Sequence, residues 1–344
     1  MNISSLGWGE ALAETFKEHA DAGLRPGRVA IQHRGAYVLL TEEGEVWAGV
    51  RGRLRHDAGS TSELPAVGDW VAYDQPDGAD RASVHAVLPR RSAVTRKQAG
   101  FETTEQVVAA NVDVLFVVSA LDGDLSPARI ERYLALAWES GADPVVVLTK
   151  ADLVPGDVDL APVEGSAAGV PVIVTSAVTG QGIDDLRGYT GPGRTVALVG
   201  ASGVGKSTLV NRLVGDEVRA TGSVRATDRR GRHTTTAREL VLLPEGGVLV
   251  DTPGLRAVTL WLSDEGFRRA FADVDTLARD CRFHDCAHDR EPGCAVQAAV
   301  ARGDLDEARA AHYRELDAEL DRVAIRDAER ERAARAGRRP RRAR

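Results

Sequence analysis

The chain has 344 residues, with 44 Lys+Arg against 51 Asp+Glu for a net charge of -7, and with 43% hydrophobic and 28% charged residues. At roughly 150 residues per domain that is material for two or three domains, and the ordinary globular composition excludes wholesale disorder, collagen-like repetition and a membrane-embedded body. The acidic balance also argues against a protein that coats nucleic acid by bulk positive charge, which leaves only local basic patches.

The longest apolar stretch, Val112 to Leu121, is half the length needed to cross a bilayer, and the opening MNISSLGWGE has neither a basic start nor an apolar signal core. A cytoplasmic protein with no membrane partner is expected. Without a long heptad seam, a monomer is the default.

Residues 1–27 read as an N-terminal arm with one amphipathic stretch, Ala11 to Ala20, ahead of Pro26-Gly27. From 28 to 90 the pattern becomes short β-rich runs, RVAIQH, AYVLLT, EVWAGVRGRLR, DWVAYD and ASVHAVL, separated by turn residues. Five strands in so short a span predict a five-stranded OB-fold β-barrel, a frame that often binds oligonucleotides. The joint PRRSAVTRKQAG, Pro89 to Gly100, carries Arg90, Arg91, Arg96 and Lys97 with no acid. It fits a solvated connector and a phosphate-backbone contact equally.

Residues 91–260 alternate apolar strands with helices, the pattern of a parallel sheet covered on both faces, whose ligand sites lie at the carboxyl ends of the strands. Thr149-Lys150-Ala151-Asp152 follows the strand PVVVL, and Ser176-Ala177 follows PVIVT. A carboxylate at Asp152 accepts two hydrogen bonds from guanine N1-H and N2-H2, whereas adenine would leave it unpaired. Lys150 lays its stem along the base, and the backbone N-H near Ala177 meets guanine O6. Thr149 stands where Asn is commoner, and its shorter side chain is expected to lose that amide's bracing of the phosphate loop.

Gly200-Ala201-Ser202-Gly203-Val204-Gly205-Lys206-Ser207 matches GxxxxGK[ST] between a strand and a helix running from Lys206 to Val214. Glycines let successive N-H groups face a phosphate, Lys206 reaches the β and γ phosphates, Ser207 ligates Mg2+, and Thr208 adds a hydroxyl to the α phosphate. The Arg-rich stretch from Arg219 to Arg238 contains Gly231-Arg-His-Thr-Thr-Thr236. One of Thr234, Thr235 and Thr236, with Thr235 the central choice, completes the Mg2+ shell. Asp251-Thr-Pro-Gly254 ends the strand GVLV, where Asp251 organises Mg2+ and the Gly254 N-H senses the γ-phosphate. The guanine motifs thus precede the phosphate loop, the reverse of the Ras-like order, which makes this a circularly permuted P-loop GTPase domain, a cut that closely spaced termini permit.

Residues 261–330 read as a zinc-binding α-helical domain. All three cysteines of the chain lie in Cys281-x4-Cys286-x-His288-x5-Cys294, a Cys3His set for one structural Zn2+. Spacing also allows His284 in place of His288. The segment holds few apolar residues, so the metal is expected to fold it. Tyr313, Leu316, Leu320 and Val323 form an apolar helical stripe read as packing. Residues 331–344 are a basic, disordered tail, either an RNA contact or a solubilising end.

TKAD, SA, GASGVGKST, GRHTTT and DTPG in permuted order, between a β-barrel and C-x4-C-x-H-x5-C, resemble the ribosome small-subunit-dependent GTPases of the YjeQ/RsgA family over about residues 28–320. The resemblance implies a GTPase that binds the small ribosomal subunit and its 16S rRNA, assists late maturation, and hydrolyses GTP to GDP under stimulation by the subunit. The family lacks the water-positioning Gln of Ras-like enzymes, and Leu255 stands at that place here. His233, beside the candidate Mg2+ threonine, is the residue expected to orient the water. The competing reading is an RNA-binding protein gated by GTP with negligible hydrolysis. A P-loop small-molecule kinase ranks last, because it leaves TKAD and SA unexplained.

Overall fold

The computed structural model describes residues 1–33, 35–97, 105–123, 125–156, 158–167, 169–221, 238–251 and 264–337. The chain divides into two compact units, 1–261 and 262–344.

In the first unit the N-terminal arm carries helix α1 (Glu10–Asp21). Strands β1 (Arg25–Gln32), β2 (Tyr37–Thr41), β3 (Gly44–Val50), β4 (Trp70–Asp74) and β5 (Ala82–Val87) close in the order β1-β2-β3-β5-β4 and back to β1, the expected five-stranded barrel. Alternate residues such as Tyr37 and Leu39, Val71 and Tyr73, and Ala82 and Val84 fill its core. The arm is part of this packing. Leu6, Leu12 and Phe16 are buried, and Trp8 makes edge contacts with Phe16 and with Trp70 of β4.

The third run is expected to be strand through Arg55, but β3 ends at Val50, and helix α2 (Gly52–Asp57) takes over with no buried residue. Gly49 and Gly52 offer no side chain to pack, and the following Arg53, Arg55 and His56 prefer water to a barrel wall.

The joint after the barrel is anchored. Arg90 grips both carboxylate oxygens of fully buried Asp69 at 2.7 Å and donates to the carbonyls of Ser62 and Leu64, so it is no solvated connector residue. A buried carboxylate requires such a fork. Strands β6 (Ala93–Lys97) and β7 (Glu105–Ala110) then pair with each other.

Next come β8 (Val114–Ala120), α3 (Pro127–Ser140), β9 (Asp143–Thr149), α4 (Ala161–Ala167), β10 (Val172–Val174), α5 (Ile183–Arg187), β11 (Thr195–Val199), α6 (Lys206–Thr221), β12 (Arg238–Leu242) and β13 (Val248–Asp251). The order β10-β9-β8-β11-β13 is parallel, with β12 antiparallel on its edge. β8 and β11 are buried along their whole lengths, as strands covered on both faces must be. Each fully buried Val, Leu or Phe there contributes about 1.5 to 3 kcal/mol. Chain order runs outward in opposite directions from β8 and β11, so their shared carboxyl end is the topological switch point where ligands bind. β12 pairs with β1 through Ile31↔Glu239 and Gln32↔Arg238, which joins barrel and parallel sheet in one hydrogen-bonded surface.

Arg28 of β1 locks this joint. Fully buried, it donates to the carbonyls of Leu6, Gly68 and Asn111 and, at 2.8 Å, to Thr195 Oγ1 at the start of β11. Burial lowers its pKa to about 10, partly offset by Asp113, so it stays charged at neutral pH.

The second unit packs α7 (Asp264–Ala270), α8 (Ala272–Ala278), α9 (Ala295–Arg302) and α10 (Glu307–Gly337) around Phe267, Phe271 and Tyr313, whose rings lie 4.9 to 5.5 Å apart. It thus has an aromatic core beyond what the segment's composition suggested. Arg309 holds Asp273 with two bonds of 2.6 and 2.7 Å. Tyr313 and Leu316 of the expected stripe are buried, and Leu320 and Val323 half-buried. α10 continues through Gly337, so the tail expected from 331 begins as helix, and residues 338–344 lie outside the described residues. Among the described residues no helix is long and apolar enough to cross a membrane.

Candidate functional site: a nucleotide cleft and a thiol-imidazole cluster

The phosphate loop leaves β11 at the switch point and enters α6. Gly200 (φ +152) passes so close to β8 that a Cβ would stand 2.3 Å from the Val118 carbonyl, so only glycine fits there. Ser202 and Gly203 are exposed, whereas Val204 is driven into the sheet's core and pins the loop. Lys206 donates to the carbonyls of Gly200 at 2.6 Å and Ala201 at 2.5 Å, its amine folded over the loop. Ser207 and Thr208 follow on the exposed first turn of α6. The helix leaves helical geometry at Gly215 (φ 71, ψ 166), one residue past the expected end.

Asp251 ends β13, the neighbour of β11 in the sheet, opposite Glu239 of β12. That puts Asp251, at the end of β13, and Ser207, on the first turn of α6, at the same carboxyl edge of the sheet. His233, Thr234, Thr235, Thr236, Gly254 and Leu255 lie outside the described residues.

The guanine motifs converge on the other side of β8. The Ser176 hydroxyl, fully buried, donates to Asp152 Oδ1 at 2.5 Å and accepts from the Thr179 N-H at 3.1 Å. The serine thereby fixes the plane of the carboxylate that would read a base edge. The Ala151 N-H donates to the Thr175 carbonyl at 3.1 Å, which ties the two loops together, and Ala177 sits half-buried beside them. Thr149 departs from its expectation. Its hydroxyl lies 2.5 Å from the Val204 carbonyl and 3.2 Å from that of Ser119, so it braces the phosphate loop in place of the missing amide. Val204 is close enough for a short side chain to reach.

In the second unit Cys281, Cys286, His288 and Cys294 bring four donor atoms within 4.8 Å of one another. His288 Nδ1 lies 3.5 Å from the sulfurs of Cys281 and Cys294, which are 3.9 Å apart. Tetrahedral zinc demands edges of about 3.6 Å for S to N and about 3.8 Å for S to S. His288 is buried, and desolvation lowers its pKa, which keeps the imidazole neutral and a nitrogen lone pair available. His284 is exposed and outside the set. The Ala295 N-H donates to Cys281 Sγ at 3.3 Å and the Gln297 N-H to Cys294 Sγ at 3.4 Å, partners that suit thiolates.

The anchoring role of one motif residue, and one contributor outside the motifs, were not visible in the sequence. Val204 occupies a variable position of the phosphate-loop pattern, where only its apolar character hints at an anchor. Asp122, two residues past β8, pairs with Lys150 at 2.6 Å, and its one signal is an acid beside Gly123 at a strand's carboxyl end.

The permuted strand order with phosphate and base loops meeting at one switch point defines a circularly permuted P-loop GTPase. A sequence model of the RsgA GTPase family matches residues 87–261. The chain is 48% identical over 329 residues to the small ribosomal subunit biogenesis GTPase RsgA of Opitutus terrae, covering 93% of this chain and 90% of that one. It is 47% identical over 335 residues to the protein of the same name in Streptomyces coelicolor, covering 96% and 90%. YjeQ from Thermotoga maritima aligns in structure with a TM-score of 0.64 at 30% identity, over 86% of this chain and 98% of that one. YloQ, a circularly permuted GTPase, aligns with a TM-score of 0.61 at 24% identity, over 87% and 96%, a likeness of fold. The chain belongs to the RsgA GTPase family.

Proposed function

We propose that this GTPase binds the small ribosomal subunit through 16S rRNA, as a cytoplasmic monomer, and assists late maturation while hydrolysing GTP to GDP and phosphate under stimulation by the subunit. The observation that carries the reading is the convergence of the Asp152 carboxylate and the glycine-rich loop, Gly200 to Thr208, on one sheet edge. Its relatives' shared name supplies the partner.

In this reading Asp152 and the Ala177 N-H select guanine, with Lys150 along the base. Backbone N-H groups of Ala201, Ser202, Gly203, Val204 and Gly205 face the phosphates, and Lys206 moves from the loop carbonyls to phosphate oxygens. Ser207, Asp251 and Thr235 are the residues that would hold Mg2+. When bound, the ion neutralises charge on the phosphates as the γ-phosphoryl is transferred to water. Gly254 donates to the γ-phosphate and His233 orients the water, since Leu255 has no polar group for that task. Cys281, Cys286, His288 and Cys294 hold one structural Zn2+ with no open position, so the zinc takes no part in hydrolysis.

Leu255 also favours the second reading, a GTP-gated RNA binder with negligible turnover. Measuring GTP and ATP turnover with Mg2+, alone and with purified small or large subunits, separates the two. GTP-selective stimulation by small subunits alone is expected. Absence of stimulation by either subunit leaves the binder as the better account.

A further inference from the structure

The register Ala120↔Thr149 ends β8 and β9 side by side, and the Leu121 N-H donates to the Thr149 carbonyl at 3.0 Å, so the residues that follow leave the sheet as neighbours. On β8, the Gly123 N-H closes a tight turn onto the Leu121 carbonyl at 2.9 Å, with Asp122 at its apex and Gly123 at φ +99. On β9, Lys150 adopts the left-handed conformation (φ 63, ψ 35), rare for a residue with a Cβ, and the Ala151 bond to Thr175 holds it there. The two turns bring Lys150 Nζ to 2.6 Å from Asp122 Oδ2, with both side chains 29% exposed.

An unpartnered lysine samples many rotamers, and flattening its stem along a base costs that freedom on binding. Tethering the amine removes much of the cost beforehand. We infer that Asp122 is a positioning residue for the nucleotide, holding Lys150 extended across the strand ends so that its methylene stem forms a ready-made wall of the guanine pocket. The inference rests on the guanine reading of residues 149–152 and 176–177. Asp122 acts on the base end, which is common to GTP and GDP. Its loss therefore weakens both nucleotides alike and leaves the chemical step untouched.

The test measures affinity for GTP and GDP by titration calorimetry on the full chain, for wild type, Asp122→Asn, Asp122→Glu, Lys150→Met and the Asp122→Asn/Lys150→Met double variant. Asp122→Asn is expected to weaken both nucleotides about 3- to 10-fold. It should raise KM for GTP with kcat at saturation unchanged, and Asp122→Glu should recover part of the loss. In the Lys150→Met background Asp122→Asn should have no further effect. The inference is overturned if Asp122→Asn binds as wild type, if it lowers kcat rather than raising KM, or if its effect persists in full without Lys150. Should wild type bind ATP as tightly as GTP, the guanine reading itself fails, an outcome visible before any variant is made.

Discussion

The nucleotide cleft and the thiol-imidazole cluster are held in place by opposite means. The loops of the cleft hang from strands whose backbone ladders are complete without them; Val204 anchors the phosphate loop in the sheet's core, and Thr149 and Ser176 trim the loops' positions. In the cluster the donors occupy a loop, 281–294, where Arg282, Phe283, His284 and Asp285 are exposed and only His288 and Cys294 are buried. The Glu291 carboxylate, which caps the N-H groups of Ala287, Asp289 and Arg290, is among the few internal ties of that loop. A side chain lost from the cleft should therefore change binding more than folding, and one lost from the cluster should change folding outright.

Cys294 gives the sharpest break, because it has two jobs. Its sulfur caps α9 at the Gln297 N-H and belongs to the donor set. Serine is a good N-cap but a poor zinc ligand, so Cys294→Ser keeps the first job and removes the second. Structural zinc contributes on the order of 10 kcal/mol to small domains at neutral pH, against about 1 kcal/mol for a cap. Loss of bound zinc in elemental analysis, with early melting or proteolysis of residues 262–337, is the expected result, and a chelator should reproduce it on wild type. A variant that keeps one zinc per chain and its thermal stability would show that the aromatic core of Phe267, Phe271 and Tyr313 suffices.

Arg28 tests the other side of the comparison, since it is a buried charge at the joint of the first unit. Arg28→Met fills the volume but takes the Arg28 donors from the carbonyls of Leu6 and Asn111 and from the Thr195 hydroxyl, and leaves the Gly68 carbonyl with the Asn111 side-chain amide alone. We expect about 3 to 5 kcal/mol of lost stability in denaturant unfolding of the full chain. Arg28→Lys should recover only part, because an ammonium cannot reproduce the planar fork. A loss below 1 kcal/mol would mean that the apolar packing of Trp8, Phe16 and Trp70 holds the joint.

How far each region could be read in advance follows from the same contrast. The barrel, the parallel sheet and the phosphate loop were legible because each rests on a local pattern: period-two alternation, unbroken apolar strands, and glycines at fixed spacing before Lys206. The cysteine spacing was equally local, although choosing between His284 and His288 needed the loop's path in space. Arg28 and Arg90 were not legible. An arginine beside apolar strand residues looks like an exposed position, and its partners Thr195 and Asp69 stand 167 and 21 residues away. The pairing of β1 with β12 was hidden for the same reason, since edge pairing between distant strands leaves no mark in either sequence.

Thr149 is where sequence and structure disagree by the smallest energy and where a small substitution decides between them. Read from the motif, threonine is a weakened asparagine; read from the contacts, its hydroxyl supplies the brace to Val204 while its methyl fills a site only 5% exposed. Thr149→Val keeps the shape and removes the donor, leaving the Val204 carbonyl with one partner fewer at a cost of about 1 kcal/mol. Part of that cost should appear as weaker nucleotide binding, because the braced carbonyl belongs to the loop proposed to cradle the phosphates. Thr149→Ser keeps the hydroxyl and drops the methyl, so it should bind GDP nearly as wild type while losing a similar increment of thermal stability. If both variants lose stability yet bind GDP equally well, the brace serves the fold alone, and the phosphate loop is held by Val204 and by the close pass of Gly200 over β8.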